Sequence, residues 1–488
     1  MFQVCNRIET PHFCISSAFR RSKRAPCNGF LLSCRRVCGA RQPCNWLQTF
    51  LLLFISNWLT VLILMHMCIY KVCHLYSGVD NHMENIKSGK EKELTAQILD
   101  VVCKVKKLPY LNPNSLYLKH SHFAKSDIVL RPNVQLLCIE EDQAKFMEFD
   151  PEIDLFDTGR FSSISVAQAD HVKKIIIIPR WELNRLVSDI DIGNREVVWL
   201  FHTPGSGAML WAKIFSPLPN WTVISENQTL LYSLRSRTNT IDMRDWLGSK
   251  DNDEMVIAMV KLYCALAPRG NNIFWSETAG YHIIPVLQKR FPHHRFLFAY
   301  RDAVGAGKSY VQTFSQTTMI AWYVYRLLNP NLGPKIATNK KARQAWLWFT
   351  HGHSPNLCLN ALRELGRNPQ LMEWTVLLWA CIVSTIKEFQ HHGFSIKSIK
   401  FDDLLDSPHQ TISELFQHLS IPSVLVWRSL DAMKQHIHDR EGNQKNTSPW
   451  IKTEESVRKC NTILRVFNLP DLHTTCNMWG CEDHRPIY

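Results

Sequence analysis

From Glu196 onward, short β-branched and aromatic runs alternate with longer stretches of helical periodicity. This alternation restricts the fold more than any other property of the chain. The strand-like runs are Val197–Phe201, Trp221–Ser225, Asn272–Trp275, Arg295–Tyr300 and Ile396–Phe401. Helical patterns fill the gaps at Ala208–Phe215, Met255–Leu266, Tyr281–Arg290, Val304–Leu327 and Glu373–Gln390. Apolar strands this short, separated by helices, predict an α/β fold: a parallel sheet flanked by helices. Ligands of such sheets bind beyond the carboxyl ends of the strands.

The first strand runs straight into Thr203-Pro204-Gly205-Ser206-Gly207, and Ala208 opens the next helix. A strand–loop–helix of this kind aims backbone N–H groups and the positive helix end at one point, which suits a phosphate. Thr203, Gly205, Ser206, Gly207 and Ala208 are therefore candidate anion ligands, although an ordinary βα turn has the same pattern. A second segment, Arg295–Gln312, ends its strand in Arg301-Asp302, with Ser309 following. Arg301 can grip a phosphate bidentately and Ser309 can add a hydroxyl; equally, Arg301 can pair with Asp302 or another carboxylate. Gly305-Ala306-Gly307-Lys308-Ser309 imitates the end of a Walker A loop. That motif needs a glycine where Asp302 stands, so a P-loop nucleotide-hydrolysing enzyme is the weakest reading. A third segment, Ile396–Pro422, delivers Asp402-Asp403 and then an amphipathic helix opened by Asp406-Ser407-Pro408.

The amino-terminal part sets a different constraint. Residues 1–45 carry eight Lys/Arg against Glu9 alone, so about half of the formal charge of +13 lies there. The uncharged run Trp46–Tyr70 follows and is long enough for a transmembrane signal-anchor helix. Trp46 and Tyr70 stand where interfacial aromatics anchor, and the basic flank predicts a cytoplasmic amino terminus with the bulk of the chain lumenal. The expected organisation is a basic tail (1–45), the anchor (46–70), a Lys-rich stem (71–110), a small, partly β region (111–195), the main domain (196–470) and a tail (471–488). Val134–Ile139 and Ile175–Ile178 are strand candidates in the small region. Trp374–Ile386 is too short to span a bilayer and reads as a buried helix. Lumenal placement favours disulfides, with Cys476 and Cys481 the nearest pair. Sequons at Asn220, Asn227 and Asn446 agree with that side of the membrane. No metal-ligand pattern is present, and no nucleic-acid partner is expected.

Taken together, the three segments resemble the PAPS-dependent sulfotransferase family. The carrying residues are the strand–Pro204-Gly205-Ser206-Gly207–helix loop and the strand ending in Arg301-Asp302 with Ser309 after it. The late segment Asp402-Asp403-Leu404…Ser407-Pro408…Phe416…Leu419-Ser420-Ile421-Pro422 also matches, as does Ile224-Ser225-Glu226 at the second strand's end. The resemblance covers about residues 196–425 and implies the P-loop-like sulfotransferase fold. It implies PAPS (3′-phosphoadenosine 5′-phosphosulfate) as co-substrate, with the phosphosulfate on Gly205, Ser206 and Gly207 and the 3′-phosphate held by Arg301 and Ser309. With the amino-terminal anchor, it implies a type II Golgi enzyme sulfating a hydroxyl of a glycan or glycoconjugate.

The chain departs from the family pattern at several positions. Where the family carries Lys or Arg between Pro and Ser, this chain has Gly205; Ala208 and Met209 replace Thr or Ser; and Ile273-Phe274-Trp275-Ser276 lacks a frequent Lys. One lost preorganised donor costs on the order of 10²–10³ in rate. Lys213 and Lys308 are substitutes by position. Glu226 and His282 are the candidate general bases, with Glu277 and His202 behind them. A degenerate relative, kept as a lumenal binding or scaffold protein, is therefore the competing reading.

Overall fold

The structure, a computed structural model, describes residues 78–104, 116–157, 163–193, 195–227, 229–230, 232–233, 250–268, 271–277, 280–314, 360–361, 371–441 and 454–472, together with Met65 and Cys68. The chain divides into two compact units, Met1–Glu91 and Lys92–Tyr488. In the first, α1 (Val79–Lys87) is the described helix.

The second unit contains two five-stranded sheets. The parallel one comprises β6 (Val197–His202), β7 (Trp221–Ser225), β8 (Asn272–Glu277), β9 (Arg295–Tyr300) and β10 (Lys397–Lys400) in the order β10-β9-β6-β8-β7. Its strands are nearly continuous apolar runs because both faces are covered. On one face Trp199 stacks on Trp275 (ring centroids 4.4 Å apart), and Tyr263 of α5 (Lys250–Leu266) meets Trp275 edge-on at 5.2 Å. On the other, Val198 and Leu200 pack with α4 (Ala208–Phe215) and α10 (Pro408–His418), where Phe215 stacks on Phe274 at 4.0 Å. Further cover comes from α6 (Ile284–Arg290), α7 (Ala303–Phe314), α8 (Leu371–His391), α11 (Val426–Glu441) and α12 (Glu454–Val466).

From β6 the chain runs outward to β7, returns to β8 beside β6, then crosses to β9 on β6's other flank. Strand order thus reverses about β6, and the crevice for a ligand lies at its carboxyl end. The loop after β6 and the Arg301 turn after β9 are brought side by side there.

The other sheet is antiparallel, in the order β2-β1-β5-β4-β3: β1 (Ala96–Lys104), β2 (Leu116–Ala124), β3 (Val134–Ile139), β4 (Gln143–Glu148) and β5 (Lys174–Pro179). Helices α2 (Ile164–His171) and α3 (Arg180–Ser188) flank β5. The edge of β3 is closed by Thr229 and Ser233. Thr229 Oγ1 donates to the Leu136 carbonyl (2.8 Å), and the Ile139 N–H donates to Ser233 Oγ (2.9 Å).

Several expectations change. Ala96–Lys104 is a sheet strand with a buried amino-terminal half rather than part of a stem, so the antiparallel region starts before residue 111. Phe401 opens a helix, α9 (Phe401–Asp406), instead of ending β10. Asn227 is fully buried, its side-chain oxygen accepting the Thr229 N–H, and a glycan has no room there. The helix expected at Trp374–Ile386 is present within α8 and buried. No helix among the described residues is long and apolar enough to cross a membrane. The anchor at 46–70 (apart from Met65 and Cys68), Asn446, Cys476 and Cys481 lie outside the described residues; among the described residues Cys68, Cys103, Cys138, Cys264 and Cys460 are free thiols.

Candidate functional site

Thr203 knits the loop together. Its N–H donates to the Ala299 carbonyl on β9 (3.0 Å), and its Oγ1 accepts the Arg301 N–H (3.2 Å). Its own carbonyl accepts the Ser206 N–H (3.3 Å), Ser206 Oγ (2.7 Å) and His202 Nδ1 (3.2 Å). Thr203 and Ser206 are both fully buried, so these hydroxyls act within the loop. The Trp211 indole N–H, one turn into α4, donates to the Ser206 carbonyl (3.2 Å). What the loop turns outward is backbone: Gly205 and Gly207 have φ of 74° and 78°, and Gly207 caps α4. Ala208 starts that helix and is buried.

Both glycines are also required by close neighbours. A Cβ at Gly205 would lie 2.4 Å from Ser309 Cβ, and one at Gly207 would lie 2.2 Å from the Phe401 ring. Ser309, on α7, therefore rests on the loop, and Phe401 rests on the start of α4. The sequence-predicted partners Gly205, Gly207, Arg301 and Ser309 are thus brought together across about a hundred residues of chain.

Arg301 sits one-third exposed between two carboxylates. Its Nε lies 3.9 Å from Asp302 Oδ2 and 3.7 Å from Asp402 Oδ1, and its Cζ lies 5.5 Å from the Phe401 centroid. The Nε is buried and takes no hydrogen bond among the described residues. Gly305, one helical turn on, makes space: a Cβ there would fall 2.5 Å from both Arg301 Nε and Asp302 Oδ2. Asp302 Oδ1 caps α7 by accepting the Val304 and Gly305 N–H groups at 3.0 and 2.8 Å. From α8, the Trp379 indole N–H holds the Arg301 carbonyl (2.8 Å). Burial raises the Asp402 carboxyl above its usual range, while Arg301 opposes that shift.

Phe401 and Trp379 escape sequence reasoning because each is an apolar residue in an apolar run. Gly305 carried a signal in its spacing from Arg301, hidden by the Walker-like string around it.

The candidate bases separate by exposure. His282, in the 3₁₀ turn Tyr281–Ile283, and Glu277, at the end of β8, are both buried. Glu226 is partly exposed beyond β7, with a left-handed φ of 49°, an unusual conformation for a side chain of this kind. His202 is buried, and burial pulls its pKa down to about 4, so it stays neutral. Lys213 is half-buried in the last turn of α4, and Lys308 is exposed on α7. Among the described residues no cluster could hold a metal ion.

No protein-family model matches the chain, and no curated protein matches it. Solved structures similar at low level include two sulfotransferases. The sulfotransferase domain from the curacin biosynthetic pathway is 13% identical with a TM-score of 0.29, over 57% of this chain and 98% of that one. Sulfotransferase STF9 from Mycobacterium avium is 10% identical with a TM-score of 0.32, over 58% of this chain and 77% of that one. Similarity at this level carries no residue assignment to this chain.

Proposed function

We propose that the chain is a sulfotransferase-type protein that binds PAPS at the carboxyl end of β6 and transfers its sulfuryl group to a hydroxyl. The supporting observation is the meeting of two sequence-distant anion-binding elements, with Ser309 seated on Gly205 and the Arg301 N–H bonded to Thr203. The residues fit a phosphorylated nucleotide: the loop offers bare glycine backbone and a helix amino terminus, and Arg301 adds a guanidinium. Arg301 and Ser309 would hold the 3′-phosphate, and Gly205 to Ala208 the phosphosulfate. In the transfer, the acceptor oxygen bonds to sulfur as the sulfur–oxygen bond to the leaving phosphate breaks, and the hydroxyl proton passes to a base. Glu226, the partly exposed candidate, fills that role better than the buried His282. In this reading the acceptor is a glycan, and residues 46–70 anchor the chain in the Golgi membrane with its bulk lumenal.

The second reading, a degenerate relative that binds nucleotide without transferring sulfate, is favoured by Gly205. The loop carries no cation at that position, and Arg301 already faces two carboxylates.

Calorimetric titration of the full chain with adenosine 3′,5′-bisphosphate tests both. Binding is expected, and Arg301→Ala should weaken it about 10- to 100-fold, the scale of a lost charged hydrogen bond. Nucleotide binding that Arg301→Ala leaves intact would sink this site. Binding with no transfer of labelled sulfate to a glycan panel would select the degenerate reading.

A further inference from the structure

Given Arg301 as a phosphate ligand, we propose that Asp402 is the carboxylate a bound phosphate must displace from it, and that Asp402 thereby sets the nucleotide affinity of the site. The two acids beside Arg301 differ in what else they do. Asp302 is committed, because its Oδ1 caps α7 through two backbone N–H groups, and releasing it would unpin the helix that carries Ser309. Asp402 is in the first turn of α9, and among the described residues no backbone group donates to its carboxylate. Among the described residues the other charges near it are Lys400, Asp302 and Asp406, and Lys400 already faces Asp403 at 3.9 Å. Asp402 is therefore the exchangeable counter-ion of the pair.

Its position agrees with that role. Phe401, the preceding residue, lies against Gly207 and beneath the Arg301 guanidinium, so the β10–α9 corner borders both the loop and the arginine. At 3.7 Å the Arg301–Asp402 contact is an ion pair without a hydrogen bond, and among the described residues the buried Arg301 Nε has no hydrogen-bond acceptor. A phosphate oxygen that made that bond would add what the carboxylate does not supply. Both side chains are about one-third exposed, so water screens their attraction and displacement has a modest cost.

The test is a double-mutant cycle on the full chain, titrating adenosine 3′,5′-bisphosphate into the wild type, Asp402→Asn, Arg301→Ala and the double variant. Asp402→Asn should tighten binding about two- to fivefold, and should have no effect once Arg301 is gone. A wild type that fails to bind beside an Asp402→Asn chain that binds also supports the assignment. Unchanged or weaker binding by Asp402→Asn, with binding still weakened in Arg301→Ala, overturns the role of Asp402 and leaves the Arg301 site standing. Equal tightening in both backgrounds overturns it too, as a general charge effect. No binding by wild type or Asp402→Asn removes the nucleotide site itself. Asp402→Ser, which removes the charge with a smaller side chain, must change affinity in the same direction, and thermal unfolding confirms that each variant is folded.

Discussion

Gly205 stands where the family resemblance leads one to expect a cation, and its backbone explains why substituting one is costly. Its φ of 74° is left-handed, which adds about 1 kcal/mol or more for any residue with a Cβ. The new Cβ would also meet Ser309 at 2.4 Å, an overpacking that adds about 1–3 kcal/mol. Gly205→Ala and Gly205→Arg should therefore both lower the midpoint of thermal unfolding, by about 1 °C per kcal/mol in a chain of this size. Restoring the missing charge should not by itself raise sulfate transfer. If Gly205→Arg melts with the wild type, Ser309 does not rest on the loop. Gly207 offers a cleaner control, because its obstacle is a single ring. Gly207→Ala should destabilise the chain, and adding Phe401→Ala should cancel the steric part while leaving the strain of a φ near 78°. Calorimetric melting of the four chains reads that coupling, and strictly additive losses would show that the ring and the glycine do not touch.

Elements were legible in proportion to how cleanly apolar runs begin and end. Val134–Ile139, Trp221–Ser225, Arg295–Tyr300 and Ala208–Phe215 all match their expected limits because turn residues or charges bound them. β10 ends one residue early because Phe401, apolar like a strand residue, packs on Gly207 from the first turn of α9. β1 and β2 were hidden for the opposite reason: β2 is an edge strand, exposed at alternate positions and rich in Lys and His, so its polarity imitates a stem or loop. The segment 227–233 shows how a local motif misleads. Asn227-Gln-Thr229 has the form of a glycan acceptor, yet it serves a buried polar network around Tyr263. The Tyr263 hydroxyl lies 2.8 Å from both the Leu136 carbonyl and Thr229 Oγ1, joining α5 to the edge of β3. Tyr263→Phe should cost about 1–3 kcal/mol, the scale of leaving a buried polar group unsatisfied, read by chemical denaturation. Peptide mass mapping of secreted or membrane-derived protein should find Asn227 unmodified; a glycan there would contradict the packing of β3.

At the scale of the whole molecule, alternation in the sequence specifies a parallel sheet but not its strand order. The order β10-β9-β6-β8-β7 depends on long-range pairings, and it alone makes Arg301 a neighbour of the Thr203–Gly207 loop. That sheet also contains two buried histidines that give the fold a predictable response to acid. His202 ends β6 and is drawn down to about 4 by burial. His294, which accepts the Trp199 indole N–H at 3.1 Å just before β9, is drawn down to about 3 by burial, with His293 adding to the effect. In the unfolded chain both return to about 6.5, so the unfolded state binds protons first as pH falls. Their contribution is complete above about pH 6.5 and is lost progressively below it, at about 1.4 kcal/mol per pH unit for each histidine, until the folded-state values are reached. Glu196, Asp253 and Asp402, whose carboxyls burial raises, act in the opposite sense and nearer the carboxylate range. Thermal midpoints measured from pH 7.5 to 5 should therefore fall steadily below about pH 6.5. His294→Gln keeps an acceptor for Trp199 while removing the titration, and should reduce that slope, the remainder coming from His202 and from His418, which burial also draws down. An unchanged slope would mean that His294 binds its proton as readily in the folded chain as in the unfolded one, and that the β6–β9 side of the sheet is open to water.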